Sequence, residues 1–228
     1  MNPQARALSI LNIVTLVLLA AATLVVFLYA PVEVQMGRVQ KVFYFHLSAA
    51  WVGMIGFSVA VIAGIAYLIT SQRKWDVAGY AAVEVSLVFF FIAIVAGSIW
   101  ARRTWGTWWT WDPRLTSAAI VELAYAAYLM LRQGIEDPDR RARFGAIYAI
   151  VAFISVPITF LSIRILRTIH PDLSQSDSGG MGLTPKMVQT LLFSLFAFSF
   201  VFADLFWHRL RLGQLSEKIE QLRLKISE

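Results

Sequence analysis

Six runs of apolar residues, each about as long as a bilayer is thick, constrain this chain more than any other feature of its sequence. A transmembrane helix needs about 20 mostly apolar residues. The runs cover residues 8–30, 47–70, 77–100, 116–131, 144–163 and 187–207. The only charged side chains inside them are Glu84, Glu122 and Asp204. The sequence therefore predicts an all-α integral membrane protein, built as a bundle of six transmembrane helices.

Composition supports this class and excludes several kinds of site. Hydrophobic residues make up 58% of the chain and charged residues 15%, whereas soluble domains average about 45–50% and 25%. The absence of cysteine excludes disulfides, zinc–thiolate sites, iron–sulfur clusters and covalent haem attachment through C-x-x-C-H. In a membrane chain, the net charge of +6 indicates Lys and Arg in cytoplasmic loops beside anionic lipid rather than binding to nucleic acid.

The ends of the apolar runs predict the topology. The first run is longer than the apolar core of a signal peptide, about 7–15 residues, and Pro31 follows where cleavage would fall. We interpret it as a retained helix. With the N-terminus inside, twelve of the 20 Lys and Arg residues fall on the inner side and eight on the outer side. Lys and Arg favour cytoplasmic loops, so both termini are predicted to be cytoplasmic. In the fifth run, Pro157 predicts a kink.

The segment between the third and fourth runs is unusually rich in tryptophan. It reads Trp105-Gly106-Thr107-Trp108-Trp109-Thr110-Trp111-Asp112-Pro113-Arg114-Leu115-Thr116 and holds four of the eight tryptophans. One interpretation is an interfacial belt, because tryptophan prefers the level of the lipid headgroups. The density of the cluster favours a second interpretation, a shelf for a flat apolar ligand. Asp112 is also a candidate N-cap of the fourth helix, because Pro113 follows it.

Two histidines fall on the same predicted side as the tryptophan segment. His46 lies at the outer end of the second helix and His170 just past the fifth, whereas His208 lies on the inner side. Each of the first two could be a polar cap at the interface. Together, two neutral imidazoles beside an aromatic shelf could also hold a haem iron axially.

Three arginines on the outer side are candidates for pairing with the haem propionates, since guanidinium groups bind carboxylates well. They are Arg102, Arg103 and Arg114. For Arg102 and Arg103, contact with lipid phosphates is an equally good interpretation. Glu122 could be a buried carboxyl that pairs with a neighbouring helix, and we leave it out of the site.

These motifs resemble those of the tryptophan-rich haem-handling membrane proteins of cytochrome c biogenesis. The pattern W-G-x-x-W-x-W-D-x-R-L-T is met without a gap from Trp105 to Thr116. The Phe43-Tyr44-Phe45-His46 stretch and Trp51 also fit. Larger members of that group have more helices and more histidines, so six spans favour the smaller cytochrome c maturation protein C family.

The resemblance implies a function and a set of partners. It implies that haem b is held without a covalent bond on the periplasmic side of a bacterial inner membrane, and is passed to a haem chaperone, cytochrome c maturation protein E. It also implies an ATP-binding-cassette pair and a small membrane subunit as partners, and no enzymatic activity. The implied ligands are His46 and His170. The implied haem-binding loop consists of Trp105, Gly106, Trp108, Trp109, Trp111, Asp112 and Arg114.

These motifs leave two rival functions open. The rivals are a bis-histidine b-type cytochrome in electron transfer and a transporter that moves haem across the bilayer.

We divide the chain into a membrane domain, residues 1–207, and a cytoplasmic tail helix, residues 208–228. The tail repeats apolar residues in steps of three and four, which predicts an amphipathic helix. Its apolar stripe would lie on lipid or on a transporter subunit.

Overall fold

The computed structural model describes residues 3–34, 36–171 and 183–227, and these form a helical bundle without a β-strand. The seven α-helices are α1 (Pro3–Leu24), α2 (Gln40–Thr70), α3 (Arg73–Trp105), α4 (Pro113–Gln133), α5 (Pro138–Phe153), α6 (Ser155–Ile165) and α7 (Pro185–Ser227). A π-helical turn, Val25–Tyr29, extends α1. Six stretches are long and apolar enough to cross a membrane, with α5 and α6 forming one of them. The predicted six-helix membrane fold is therefore confirmed.

The fifth span is interrupted where the sequence predicts its kink. The helix breaks at Ile154, whose backbone N–H donates to the carbonyl of Val151, 3.2 Å away. Pro157 follows three residues later and has no N–H to offer the carbonyl of Phe153. The span consequently consists of two helices that meet at Ile154.

Several helices extend further than the apolar runs predict. Helix α2 begins at Gln40, so that His46 lies in its second turn, and α3 continues to Trp105. Arg102 and Arg103 are therefore helical, and so is Trp105, which was wrongly predicted to lie in the loop. The apolar runs end at the first polar residues, whereas backbone hydrogen bonding continues through the interface. Helix α7 crosses positions 207 and 208 without a break, and the division into domain and tail stays a prediction.

Helices α2 and α3 form the centre of the bundle. They are joined by Ser71 and Gln72, where Ser71 adopts a left-handed conformation (φ 53°) that ends α2. Helix α1 packs against α7, and α4 packs against α5 and α6. On α2, the buried ring of Phe57 stacks on that of Tyr125 with centroids 3.8 Å apart. Because consecutive spans alternate in direction, His46, the tryptophan segment and His170 lie at one end, here called the tryptophan end. The start of α1 and the end of α7 lie at the opposite end, here called the tail end.

A network of ion pairs joins the helices at the tail end. Arg132 of α4 and Asp76 of α3 are both buried and form two hydrogen bonds of 2.5 and 3.0 Å. Arg73 of α3 lies 3.1 Å from Glu217 of α7, and Arg209 of α7 pairs with Glu84 of α3. Helix α7 is thus attached to α3, at Arg209 and Glu217, by charge as well as by packing.

The orientation of the bundle in the membrane is a prediction that labelling can test. A cysteine introduced by Thr107→Cys, at the tryptophan end, should react with a membrane-impermeant thiol reagent added outside sealed cells. One introduced by Asp139→Cys, at the tail end, should react only after permeabilisation. Asp139 has an 89% exposed side chain, so burial would not protect it. The native chain lacks cysteine and gives no background. Labelling of Asp139→Cys from outside would show that the bundle has the opposite orientation. A third suitable position, Ser176, lies outside the described residues.

Candidate functional site

Two adjoining cavities lie at the tryptophan end. The first, here the site cavity, measures about 130 Å³ and is walled by residues of α2, α3, α4 and α6. The second, here the outer cavity, measures about 370 Å³ and lies between the connection after α1 and the starts of α2 and α7. Four residues line both cavities, namely His46, Leu47, Trp100 and His170. The two histidines are therefore brought together from α2 and from the chain after α6, in the wall that the cavities share.

His46 is held in place by the neighbouring helix. Its Nδ1 atom lies 2.8 Å from the carbonyl oxygen of Ala93 on α3. A carbonyl only accepts, so Nδ1 carries the proton and Nε2 keeps a free electron pair. A backbone bond of this kind orients histidines that ligate metals. Gly97 makes room for the ring, because a Cβ atom there would lie 2.9 Å from Cε1 of His46.

His170 has the same arrangement of ring nitrogens. Its Nδ1 atom lies 3.1 Å from the carbonyl oxygen of Pro171, which again leaves Nε2 as an acceptor. Burial lowers the pKa of His170 to about 4, and the positive charge of Arg114 acts in the same direction. The imidazole is therefore neutral at pH 7, as a metal ligand must be. Its ring packs edge-on against that of Trp105, with centroids 6.5 Å apart.

The four tryptophans of the segment divide into two pairs. Trp105 and Trp109 line the site cavity, whereas Trp108 and Trp111 are 58% and 79% exposed and line neither cavity. The chain turns at Gly106, between Trp105 and the other three tryptophans. Its φ of +73° is a conformation that favours glycine, and it ends α3 there. Half of the predicted shelf is thus cavity wall, and half is outer surface.

Asp112 connects the tryptophan segment to the chain that carries His170. As predicted, it caps α4 by accepting from the backbone N–H of Arg114 at 2.9 Å. It also accepts from the hydroxyl of Thr168 at 2.6 Å and from the N–H of Ile169 at 2.8 Å. Partial burial raises the pKa of Asp112, but these donors outweigh it, and the net effect lowers that pKa. The carboxylate thus links the start of α4 to the segment that carries His170.

The candidate arginines occupy different environments. Arg114 lines the site cavity, donates to the carbonyl of Thr159 at 2.8 Å and lies 5.4 Å from the ring centroid of Phe160. Arg102 and Arg103 are exposed and line neither cavity, and Arg102 donates to the carbonyl of Gly106. Glu122 lines neither cavity as well. Of the three arginines, only Arg114 is placed to meet a ligand between the histidines.

Haem fits the donor set of this site. Among the described residues, no three His, Asp or Glu side chains come together as a metal-binding cluster. Two imidazoles alone do not complete the coordination of an iron, whereas a porphyrin brings the remaining nitrogens itself. Trp105 and Trp109 offer flat apolar surface beside them, and Arg114 offers a partner for a carboxylate. The residues present therefore suit a flat, anionic metal complex better than a bare ion.

Three residues of the site were missed in the sequence. Trp100 lines both cavities and meets Trp105 edge-on at 5.9 Å. A third helix extended to Trp105 would have placed it close by. Thr168, which binds Asp112, precedes His170 by only two residues. Gly97 gave no signal, because its role depends on where α2 and α3 cross.

Removal of the Asp112 carboxylate should weaken haem binding more than it lowers the stability of the fold. Loss of an N-cap aspartate costs about 0.5–2 kcal/mol, so we expect Asp112→Ala to lower the stability modestly. We also expect it to weaken haem binding several-fold, because the His170 segment loses two bonds. Asp137→Ala is a matched control, since Asp137 caps α5 before Pro138 at the tail end. Thermal unfolding and haem titration of both variants distinguish the effects. Equal haem affinity in the two variants would contradict this role.

Known proteins resemble the chain over almost its whole length. The family described as Heme exporter protein C matches residues 1–225. The chain is similar to Heme exporter protein C of Bradyrhizobium diazoefficiens, with 34% identity over 213 residues that cover 90% of this chain and 81% of the relative. It is 31% identical to Heme exporter protein C of Escherichia coli, over 88% of this chain and 81% of that one. For Rhodobacter capsulatus the identity is 30%, over 89% and 82%. The chain belongs to the Heme exporter protein C family.

Proposed function

We propose that this membrane protein binds haem b without a covalent bond between His46 and His170 and passes it to the haem chaperone of cytochrome c biogenesis, cytochrome c maturation protein E. One observation carries the proposal. Both imidazoles line the same two cavities, and each has its Nδ1 atom beside a backbone carbonyl, so that Nε2 is available as a ligand. The names of the relatives, which call them haem exporters, agree with it.

The two pairs of tryptophans suggest two roles in this function. Trp105 and Trp109 would stack on the porphyrin from the wall of the site cavity. Trp108 and Trp111, with their exposed rings, would present a surface to the chaperone. Aromatic rings suit such contacts because they bury much area at little entropic cost. Haem would thus be bound on one side of the segment and transferred to the chaperone on the other.

Charged groups would fix the orientation of the bound haem. Arg114 is the candidate partner of a propionate, because it already lines the site cavity. Arg102 and Arg103 would contact a propionate only at an exposed edge of the ligand, and their alternative partners are lipid phosphates. A propionate held at Arg114 leaves the opposite edge of the porphyrin, with its vinyl groups, free to face another protein.

The site suits exchange of haem better than electron transfer. His46 lies in the second turn of α2 and His170 lies five residues beyond the end of α6. The larger of the two cavities beside them reaches the connection after α1. We therefore propose a non-enzymatic carrier on the periplasmic side of a bacterial inner membrane. It would work with an ATP-binding-cassette pair and a small membrane subunit, and the tail helix would contact either lipid or that pair.

Transfer between purified proteins tests the proposal. The haem-loaded protein is mixed with the apo-chaperone, and haem on each is quantified after separation. We expect Trp109→Ala to lower the haem content of the carrier several-fold. We expect Trp108→Ala to keep that content but to slow transfer. If Trp109→Ala changed neither quantity, the segment would be an interfacial belt. If the parent protein bound no haem, the function itself would be wrong.

A further inference from the structure

A third cavity, here the lateral groove, lies on the side of the bundle between α2 and the interrupted fifth span. It measures about 240 Å³, and its lining includes Trp51, Met54, Ile55 and Ser58 of α2 with Pro157 and Phe160 of α6. Trp51, Met54 and Phe160 also line the site cavity. The lateral groove therefore adjoins the site cavity, and these three side chains form the boundary between them.

The lateral groove lies at the depth of the hydrocarbon. Trp51 and Ser58 follow His46 by five and twelve residues on the same helix, which corresponds to about 8 and 18 Å along its axis. The hydrocarbon core of a bilayer is about 30 Å thick. The groove opens outward, since Trp51 and Ile55 are 48% and 43% exposed. Its mouth consequently faces lipid rather than water.

The lining of the groove suits an apolar ligand. Its only side-chain hydroxyl belongs to Ser58, which donates to the carbonyl of Met54 at 3.1 Å and so needs no other partner. The outer cavity, in contrast, is lined by Glu33, Gln40 and Thr184 among others. A porphyrin has large apolar faces that partition into lipid, and the groove offers such faces a continuous apolar surface.

The fifth span forms the second wall of the groove. Phe153 lines the groove before the break at Ile154, and Pro157 and Phe160 of α6 line it beyond the break. At the end of the groove next to the site cavity, the guanidinium group of Arg114 lies 5.4 Å from the ring centroid of Phe160. A ligand that passes Phe160 would therefore meet Arg114, the arginine that is placed to bind its carboxylates.

We propose that haem reaches His46 and His170 sideways from the bilayer, through the lateral groove and past Trp51, Met54 and Phe160. This route rests on the proposed function and adds to it the source of the ligand, which is haem dissolved in the membrane. The outer cavity is then left for departure towards the chaperone. Entry and exit use different openings of one site.

A plug in the groove tests the route. Ile55→Trp fills the groove without touching the site cavity, since Ile55 lines only the former. The matched control is Ile62→Trp, seven residues further along α2, where the native side chain is 64% exposed and lines neither the groove nor the cavities. Each protein is reconstituted into vesicles of phosphatidylcholine and phosphatidylglycerol. Iron protoporphyrin IX is first dissolved in the bilayer of protein-free vesicles that are then fused with them, and the Soret band reports uptake.

We expect Ile55→Trp to slow uptake about tenfold while the final haem content stays that of the parent protein, and Ile62→Trp to match the parent in both. Ser58→Leu, a smaller plug one turn away, should slow uptake less and gives a second reading if Ile55→Trp does not fold. Parental uptake rates in folded Ile55→Trp and Ser58→Leu would overturn the route alone. A parent protein that takes up no haem would overturn the proposed function as well.

Discussion

Replacement of either site histidine by alanine should abolish the spectrum of six-coordinate haem. In His46→Ala and in His170→Ala, one of the two proposed Nε2 ligands would be lost, and the iron would keep at most one protein ligand. We expect haem affinity to fall by more than about tenfold, or about 1.4 kcal/mol. The absorption spectrum of the purified protein shows the change in coordination, and titration with haem gives the affinity.

His208→Ala provides the control for these variants. His208 lies near the tail end, 2.9 Å from the side-chain amide of Asn12, and it lines none of the three cavities described above. Its replacement should leave the spectrum and the affinity unchanged. A six-coordinate spectrum that survived in both His46→Ala and His170→Ala, or that required His208, would disprove the ligand assignment.

The second large effect is expected from the buried ion pair at the tail end. Asp76→Ala would leave Arg132 buried without its partner, although it still lies 4.8 Å from the ring centroid of Tyr80. Removal of one member of a buried pair costs about 3–5 kcal/mol, whereas replacement of both by apolar residues is often neutral. We therefore expect the free energy of unfolding to fall by about that amount in Asp76→Ala. It should recover in the double variant Asp76→Leu with Arg132→Met.

Unfolding in increasing concentrations of denaturing detergent measures these differences. Glu217→Ala is a suitable control, because its pair with Arg73 is partly exposed and such pairs contribute at most about 1 kcal/mol. Haem affinity of folded Asp76→Ala should equal that of the parent protein, since the pair lies at the opposite end from the histidines. A double variant as unstable as Asp76→Ala would contradict the explanation by an unpaired charge.

The number of spans was predictable because the bilayer leaves little choice. A segment such as residues 47–70, without a charge, can satisfy its backbone within lipid only as a helix. The alternation of spans then places His46 and His170 at one end. The ends of helices were less predictable, as Trp105 shows, because helical hydrogen bonding continues where the apolar run stops.

Relations between helices were not predictable from the sequence. Arg132 was counted as an inner-side positive charge, yet it is buried and pairs with Asp76, 56 residues away. Likewise, nothing in the sequence relates Gly97 to His46 or Thr168 to Asp112. These contacts depend on helix crossings and on the path of short connections, which a hydropathy pattern does not encode.

Helix α7 has a mechanical consequence that follows from its length. Its 43 residues extend about 65 Å, roughly twice the thickness of the hydrocarbon. Met187 near its start borders the outer cavity, and Glu217, about 45 Å further on, is fastened to α3. One unbroken rod thus runs from the cavity wall to the far side of the bundle. A displacement of its turns beyond Glu217 would therefore be transmitted along the backbone to the wall of the outer cavity.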